Sequence, residues 1–210
     1  MRRIKRLVDI LVACILLVLL APVLLVVAAL VRINMGRPIL FKQTRIGYRG
    51  RPFSILKFRT MLAQKDARGQ ELPDAQRLTR FGRWLRASSL DELPELLNIV
   101  RGQMSLVGPR PLLPEYLPLY SPRQALRHAV PPGLTGWAQV NGRNALDWDA
   151  RLELDAWYVE NWSLGLDTRI LLSTLLTVLR SEGISAPGHV SMERFIGPRA
   201  STENPPRQNE

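Results

Sequence analysis

Cysteine and histidine are almost absent from this 210-residue chain. The single cysteine, Cys14, excludes an intrachain disulfide framework and a thiolate metal site. Two histidines, His128 and His189, make a zinc site or a His-based triad unpromising, and they read as structural. No P-loop, H-E-x-x-H, G-x-S-x-G or paired C-x-x-C motif occurs, and no internal repeat. Acidic charge is missing from the first part of the chain. Up to Arg59, Asp9 stands alone against twelve Lys and Arg. The remaining basic and acidic residues, 17 of each, cancel, so the whole net charge of +11 flanks one region.

That region is "ILVACILLVLLAPVLLVVAALV", Ile10 to Val31, which carries no charge. An uncharged run of this length reads as membrane-inserted. Basic residues rather than a small-residue cleavage site follow it, which argues against a signal peptide. A single-pass anchor is the simplest reading. Pro22 sits mid-run and removes a helical hydrogen bond, so a kink is expected. Both flanks are basic, and the positive-inside rule then favours the same side for both. A helix that bends at Pro22 and returns to its own leaflet satisfies this, and its basic flanks would hold anionic headgroups. The expected division is a membrane helix over 1–33, a second domain over 34–198 and a disordered polar tail over 199–210.

Ile39 to Phe41 and Phe53 to Phe58, punctuated by Gly47, Gly50 and Pro52, predict a β-hairpin. "LAQKDARGQELPDAQ" reads as a surface loop. "RLTRFGRWLRAS" reads as an amphipathic helix with Leu78, Phe81 and Leu85 on one face and Trp84 beside it, suited to a membrane interface or an ordinary surface. A helix from Glu92 to Val100, ended by Gly102, is expected; Pro94 in its first turn favours Asp91 as N-cap, with the S-x-x-E capping box of Ser89 to Glu92 as the competing register. Short helical turns are expected near Leu113 to Tyr120, and "VPPGLTGWAQVNGRN" reads as a loop. Asp147 to Trp162 is expected to be a helix burying Trp148, Leu152, Ala156 and Val159. Leu166 to Arg180 is strongly apolar and suits either the core or lipid.

What remains is anionic chemistry. Asp91 and Glu92 are adjacent carboxylates, and hard carboxylate oxygens suit Mg²⁺. Lys57 and Arg59 in "KFRTM", Arg86 in "LRASSLDE", Arg110 in "GPRP" and Arg143 in "NGRN" recur in polar, Gly- or Pro-flanked settings. Arginine forks bind phosphate oxygens in pairs. Together these residues suggest a site for a metal–diphosphate.

"KFRTM", "LRASSLDELPELLNIVRGQMSLVGPRP" and "PGLTGWAQVNGR" resemble the bacterial sugar transferases, the monotopic polyprenol-phosphate phosphoglycosyl transferases that start glycan assembly on a lipid carrier. The resemblance runs from the basic N-terminus to about Gly197 and is to the short, minimal form. The expected fold class is α+β, mostly helical. It has an N-terminal re-entrant membrane helix broken at Pro22, a small β-hairpin, and interfacial amphipathic helices around a compact catalytic domain. The family breaks its membrane helix at Ser-Pro; here the pair is Ala21-Pro22.

The resemblance implies that a UDP-sugar gives its phosphosugar to undecaprenyl phosphate and releases UMP. It implies Asp91 and Glu92 as the catalytic dyad and the Mg²⁺ ligands, with Asp91 the nucleophile of a covalent phosphosugar intermediate. Lys57, Arg86, Arg110 and Arg143 match the family's basic positions, and Pro109-Arg110-Pro111 its nucleotide-binding stretch. "ISAPGHVSMERFIG" is similar to short members that handle acetamido sugars. The implied location is the inner membrane, with the catalytic domain on the cytoplasmic face. Expected partners are the UDP-sugar, the polyprenol phosphate, membrane lipids and, as an open alternative, a second copy of the chain. Nucleic acid is not among them, because no recognisable nucleic-acid module is present. The competing reading is a membrane-anchored, non-enzymatic scaffold with a basic juxtamembrane patch.

Overall fold

The computed structural model describes residues 2–63, 69–70, 72–142, 146–180 and 194–197. The chain opens with a bent helix pair, α1 (Arg2–Leu19) and α2 (Ala21–Met35), which meet at 64° around Leu20. Pro22 lies in the first turn of α2 and has no N–H to give the Val18 carbonyl, so the helix cannot run straight through. No single described helix is long and apolar enough to cross a membrane; the bent pair has that length and composition only when taken together. Its outer surface exposes Leu7, Leu11, Val18 and Leu25, while Ala13, Val27 and Val31 face inward and are buried.

The inner face is fastened to the rest of the chain by charge. Arg6 donates to the carbonyls of Ile99 (2.6 Å), Val100 and Met104 (3.2 Å each). Lys5 pairs with Asp167 at 2.6 Å, and Asp9 accepts from the Ser105 hydroxyl and the Leu106 N–H. Two of the basic residues expected to meet headgroups are therefore spent inside the protein.

β1 (Leu40–Ile46) and β2 (Pro52–Phe58) form the expected antiparallel hairpin, with Leu40 opposite Phe58 and Ile46 opposite Pro52. A short α3 (Asp74–Arg77) ends the predicted loop, and Leu78, expected on the next helix, instead bridges to Met61. Thr79 caps α4 (Arg80–Ala87) by accepting from Gly82 N–H. Leu85 is fully buried there, and Trp84 lies half exposed, stacked on Phe81.

α5 (Glu95–Val100) starts three residues later than predicted, after a single 3₁₀ turn at Leu90–Glu92. Ser89 takes left-handed backbone (φ 57) and caps nothing, so the capping box does not form, and α5 opens on Pro94 rather than on Asp91. The side chain that would have completed the box, Glu92, is drawn away to two cations. Buried Asn98 then docks α5 on the edge of β2, accepting from Leu56 N–H and donating to Ser54 C=O. Edge-strand groups that would otherwise be unpaired are satisfied this way.

A second small sheet was not foreseen. β3 (Ser105–Val107) runs parallel to β4 (Gly133–Thr135), inside the segment read as a loop. Gly133 is required there: a Cβ would sit 2.1 Å from Gly108 N. Short α6 (Pro122–Ala125) and α7 (Trp137–Val140) lead to α8 (Trp148–Glu160), capped by Asp147, and α9 (Leu164–Arg180). On α8, Leu152 and Ala156 are buried as predicted, but Asp155 and Tyr158 join them in place of Trp148 and Val159. The main core gathers Ala13, Ile55, Leu96, Ile99, Met104 and Tyr158, so α1 packs into the core. On α9, Ile170 is buried and Leu171, Leu172, Leu175 and Leu176 form an exposed apolar face. The predicted tail, 199–210, lies outside the described residues.

Candidate active site

The hairpin and α5 bring Lys57 of β2 against Glu92 and Glu95. Its ammonium donates to Glu92 Oε1 and lies 3.1 Å from Glu95 Oε1. Arg110 approaches from the other side, with Nη2 at 2.6 Å and Nη1 at 3.5 Å from the two Glu92 oxygens. Burial alone would raise the Glu92 pKa, but Arg110 and Lys57 outweigh it and hold the carboxyl well below its usual range.

Asp91 is placed quite differently. It is 7% exposed, and no described residue donates a hydrogen bond to its carboxylate. Burial, then the neighbouring Glu92 charge, push its pKa up to about 6, against the pull of Lys57, Arg110 and Arg86. Adjacent carboxylates are thus divided into one that is ion-paired and one that is open. Arg86 sits by this pair through α4, its Nε donating to Thr60 Oγ1 at 3.0 Å.

The proline-rich stretch carrying Arg110 is irregular but fully pinned. Gly108 N–H donates to Thr135 C=O (2.9 Å), and the Pro109 carbonyl accepts from Gly133 N–H (3.0 Å). Arg127 donates to the Arg110 carbonyl, and the Leu112 carbonyl accepts from Ile46 N–H (3.0 Å). Arg127 itself is anchored by Asp155 at 2.9 Å and by the Tyr120 hydroxyl at 3.1 Å. A shallow, open dent with only ≈10 Å³ of enclosed volume lies here, lined by Gly47, Pro109, Arg110, Pro111, His128 and Pro132. His128 stays neutral: burial first, then Arg127, lower its pKa to about 4.

Of the predicted site residues, Asp91, Glu92, Lys57, Arg86 and Arg110 come together, and Pro109 and Pro111 flank Arg110. Arg143 lies outside the described residues, as does His189. Sequence reasoning passed over Glu95, Arg127 and Asp155. Glu95 follows Glu92 by three residues, and that one-turn spacing was the available signal; nothing local marks the pairing of Arg127 with Asp155.

A family model for bacterial sugar transferases matches residues 1–181. The chain belongs to the bacterial sugar transferase family. It is 54% identical over 193 residues to the uncharacterized sugar transferase EpsL of Bacillus subtilis, covering 92% of this chain and 96% of that one. It is 44% identical over 190 residues to a UDP-glucose:undecaprenyl-phosphate glucose-1-phosphate transferase of Caulobacter vibrioides, covering 85% and 70%. It is 41% identical over 196 residues to the exopolysaccharide production protein ExoY of Sinorhizobium fredii, covering 85% and 87%. This sugar transferase is therefore an enzyme, and the scaffold reading falls away.

Among the described residues no group of three or more Asp, Glu, His or Cys gathers to cage a metal. Asp91 nonetheless presents the open, hard oxygens that a divalent cation takes. Glu92 can offer one only by releasing Lys57 or Arg110. Such a donor set fits a cation that brings much of its own shell as water and phosphate, as Mg²⁺ does.

Proposed function

We propose that this sugar transferase moves a phosphosugar from a UDP-sugar to undecaprenyl phosphate, giving the lipid diphosphosugar and UMP, through a covalent intermediate on Asp91. The observation that carries this reading is the open, buried Asp91 carboxylate beside Glu92, Lys57, Arg110 and Arg86. Relatives named for the transfer of glucose-1-phosphate to undecaprenyl phosphate support the same donor and acceptor classes. They make UDP-glucose the first donor to test.

In the first step an Asp91 oxygen attacks the phosphorus that bears the sugar. The bond from that phosphorus to the bridging oxygen breaks, and UMP leaves with the electron pair. In the second step a phosphate oxygen of the lipid attacks the same phosphorus and displaces Asp91. A carboxylate with a pKa of about 6 is mostly ionised at neutral pH and needs no base to act. Lys57, Arg86 and Arg110 balance the anions that must meet, with Arg143 assigned to the same task. Pro109 and Pro111 fix the Arg110 backbone, so its guanidinium is the group placed to meet the nucleotide's phosphates. Mg²⁺, held by Asp91 with Glu92 beside it, would neutralise diphosphate charge.

The bent pair fits a re-entrant element that enters and leaves one leaflet at Pro22, with 34–198 as the catalytic domain on the cytoplasmic face of the inner membrane. The exposed faces of α4 and α9 suit the same lipid surface. The sugar nucleotide alone tests the chemistry. Wild-type protein with UDP-glucose and Mg²⁺ is expected to release UMP, up to one per active site, before any lipid is added. Asp91→Asn is expected to release none. Near-normal turnover by Asp91→Asn would remove the nucleophile from the scheme.

A further inference from the structure

Glu95 is a buried acid with no obvious structural reward. It is 2% exposed, and among the described residues no well-aligned hydrogen bond reaches its Oε1. Its contact is an ion pair with Lys57 at 3.1 Å. Burial dominates its titration and, with Glu92, carries its pKa up to about 7 against Lys57 and Arg110. A buried carboxyl in this state costs stability, whereas a glutamine of the same size would avoid the charge. Residues that cost stability in this way are retained where function needs them.

We propose that Glu95 is a positioning residue: it keeps the Lys57 ammonium aimed into the site when Glu92 yields Lys57 to an incoming diphosphate. The inference rests on the phosphosugar-transfer reading and names a residue that reading does not use. Lys57 hydrogen-bonds to Glu92 and is held from the side by Glu95, so it has two anionic anchors. The other charges facing this carboxylate are Arg45 and Arg110, both cationic. A phosphate that takes the Lys57 and Arg110 donors now on Glu92 displaces its oxygens. With one anchor, Lys57 would either stay locked on Glu92 or drift once released. With two, Glu92 can be exchanged for phosphate while Glu95 keeps the amine in place.

The test measures binding of Mg²⁺–UDP by calorimetry and thermal stability by scanning fluorimetry, on full-length protein in detergent. Glu95→Gln is expected to raise the melting midpoint and weaken UDP binding by about tenfold, the scale of one charge-assisted contact. In a Lys57→Met background the same change should alter binding by less than about twofold, because its effect passes through Lys57. Unchanged UDP binding in Glu95→Gln, a full tenfold effect without Lys57, or a falling midpoint would each overturn the proposal. The last would mark Glu95 as a structural residue. A wild-type protein that does not bind UDP would overturn it too. If wild type binds UDP yet releases no UMP from UDP-glucose, the transfer reading fails while these binding outcomes still decide the role of Glu95.

Discussion

Arg127→Met should cost the protein much of its stability, and the loss should depend on pH. Arg127 and Asp155 each have side chains only 2% exposed and lie 2.9 Å apart. Removing one partner of such a pair leaves the other charge buried and costs about 3–5 kcal/mol. At about 2–4 °C per kcal/mol for a domain of this size, the melting midpoint should fall by roughly 10 °C at pH 7.5. Burial already raises the Asp155 pKa to about 6, against the pull of Arg127 and Arg151. Without Arg127 that value rises further. A carboxyl whose folded pKa exceeds its unfolded value favours the folded state at low pH and loses that contribution as pH rises through the folded pKa. The gap between variant and wild type should therefore narrow at pH 5.5. Asp155→Asn added to Arg127→Met should recover part of the midpoint, since the stranded charge is gone. Scanning fluorimetry at two pH values on wild type and the two variants measures all of this. A midpoint within about 2 °C of wild type, or no recovery in the double variant, would refute the buried-pair reasoning. Activity should not return with stability, because Arg127 also holds the Arg110 carbonyl.

Three further outcomes are expected. The donor-only release of UMP should fall as pH drops through about 6, by about tenfold per unit below it, as protonation removes the Asp91 nucleophile; a rate flat to pH 4.5 would contradict this. Gly82→Ala would place a Cβ 1.9 Å from the Thr60 carbonyl, so stability should fall by about 3 kcal/mol or more and Arg86 should lose its contact with Thr60; an unchanged melt would contradict it. A cysteine at residue 2, in a Cys14→Ser background, should be labelled only from the cytoplasmic side; labelling from the opposite side would support a single-pass anchor.

Much of the candidate site's clustering was legible because its charged residues are dense in sequence. Asp91 and Glu92 adjoin, Pro109 and Pro111 bracket Arg110, and a short apolar run carries Lys57. The hairpin was legible from alternation and turn residues, and the bend from one proline in an uncharged run. The capping box at Ser89 was misread because local propensity cannot see cations arriving from β2 and from the Pro109–Pro111 stretch. Once Lys57 and Arg110 take Glu92, no side chain remains to close the box, and α5 begins at Glu95 instead. β4 was read as loop because a three-residue strand that starts on Gly133 and runs into Gly136 carries no periodic signal; its pairing with β3 is a long-range event.

Residue types alone pointed to anion chemistry beside a membrane segment: an uncharged run with basic flanks, two adjacent carboxylates and repeated arginines. Tertiary structure decided which of two neighbouring acids is ion-paired. Lys57 and Arg110 come from distant segments and neutralise Glu92, while Asp91 is buried without a hydrogen-bond donor among the described residues. Charge interactions depend on distance and burial, and neither is written in the order of residues 91 and 92.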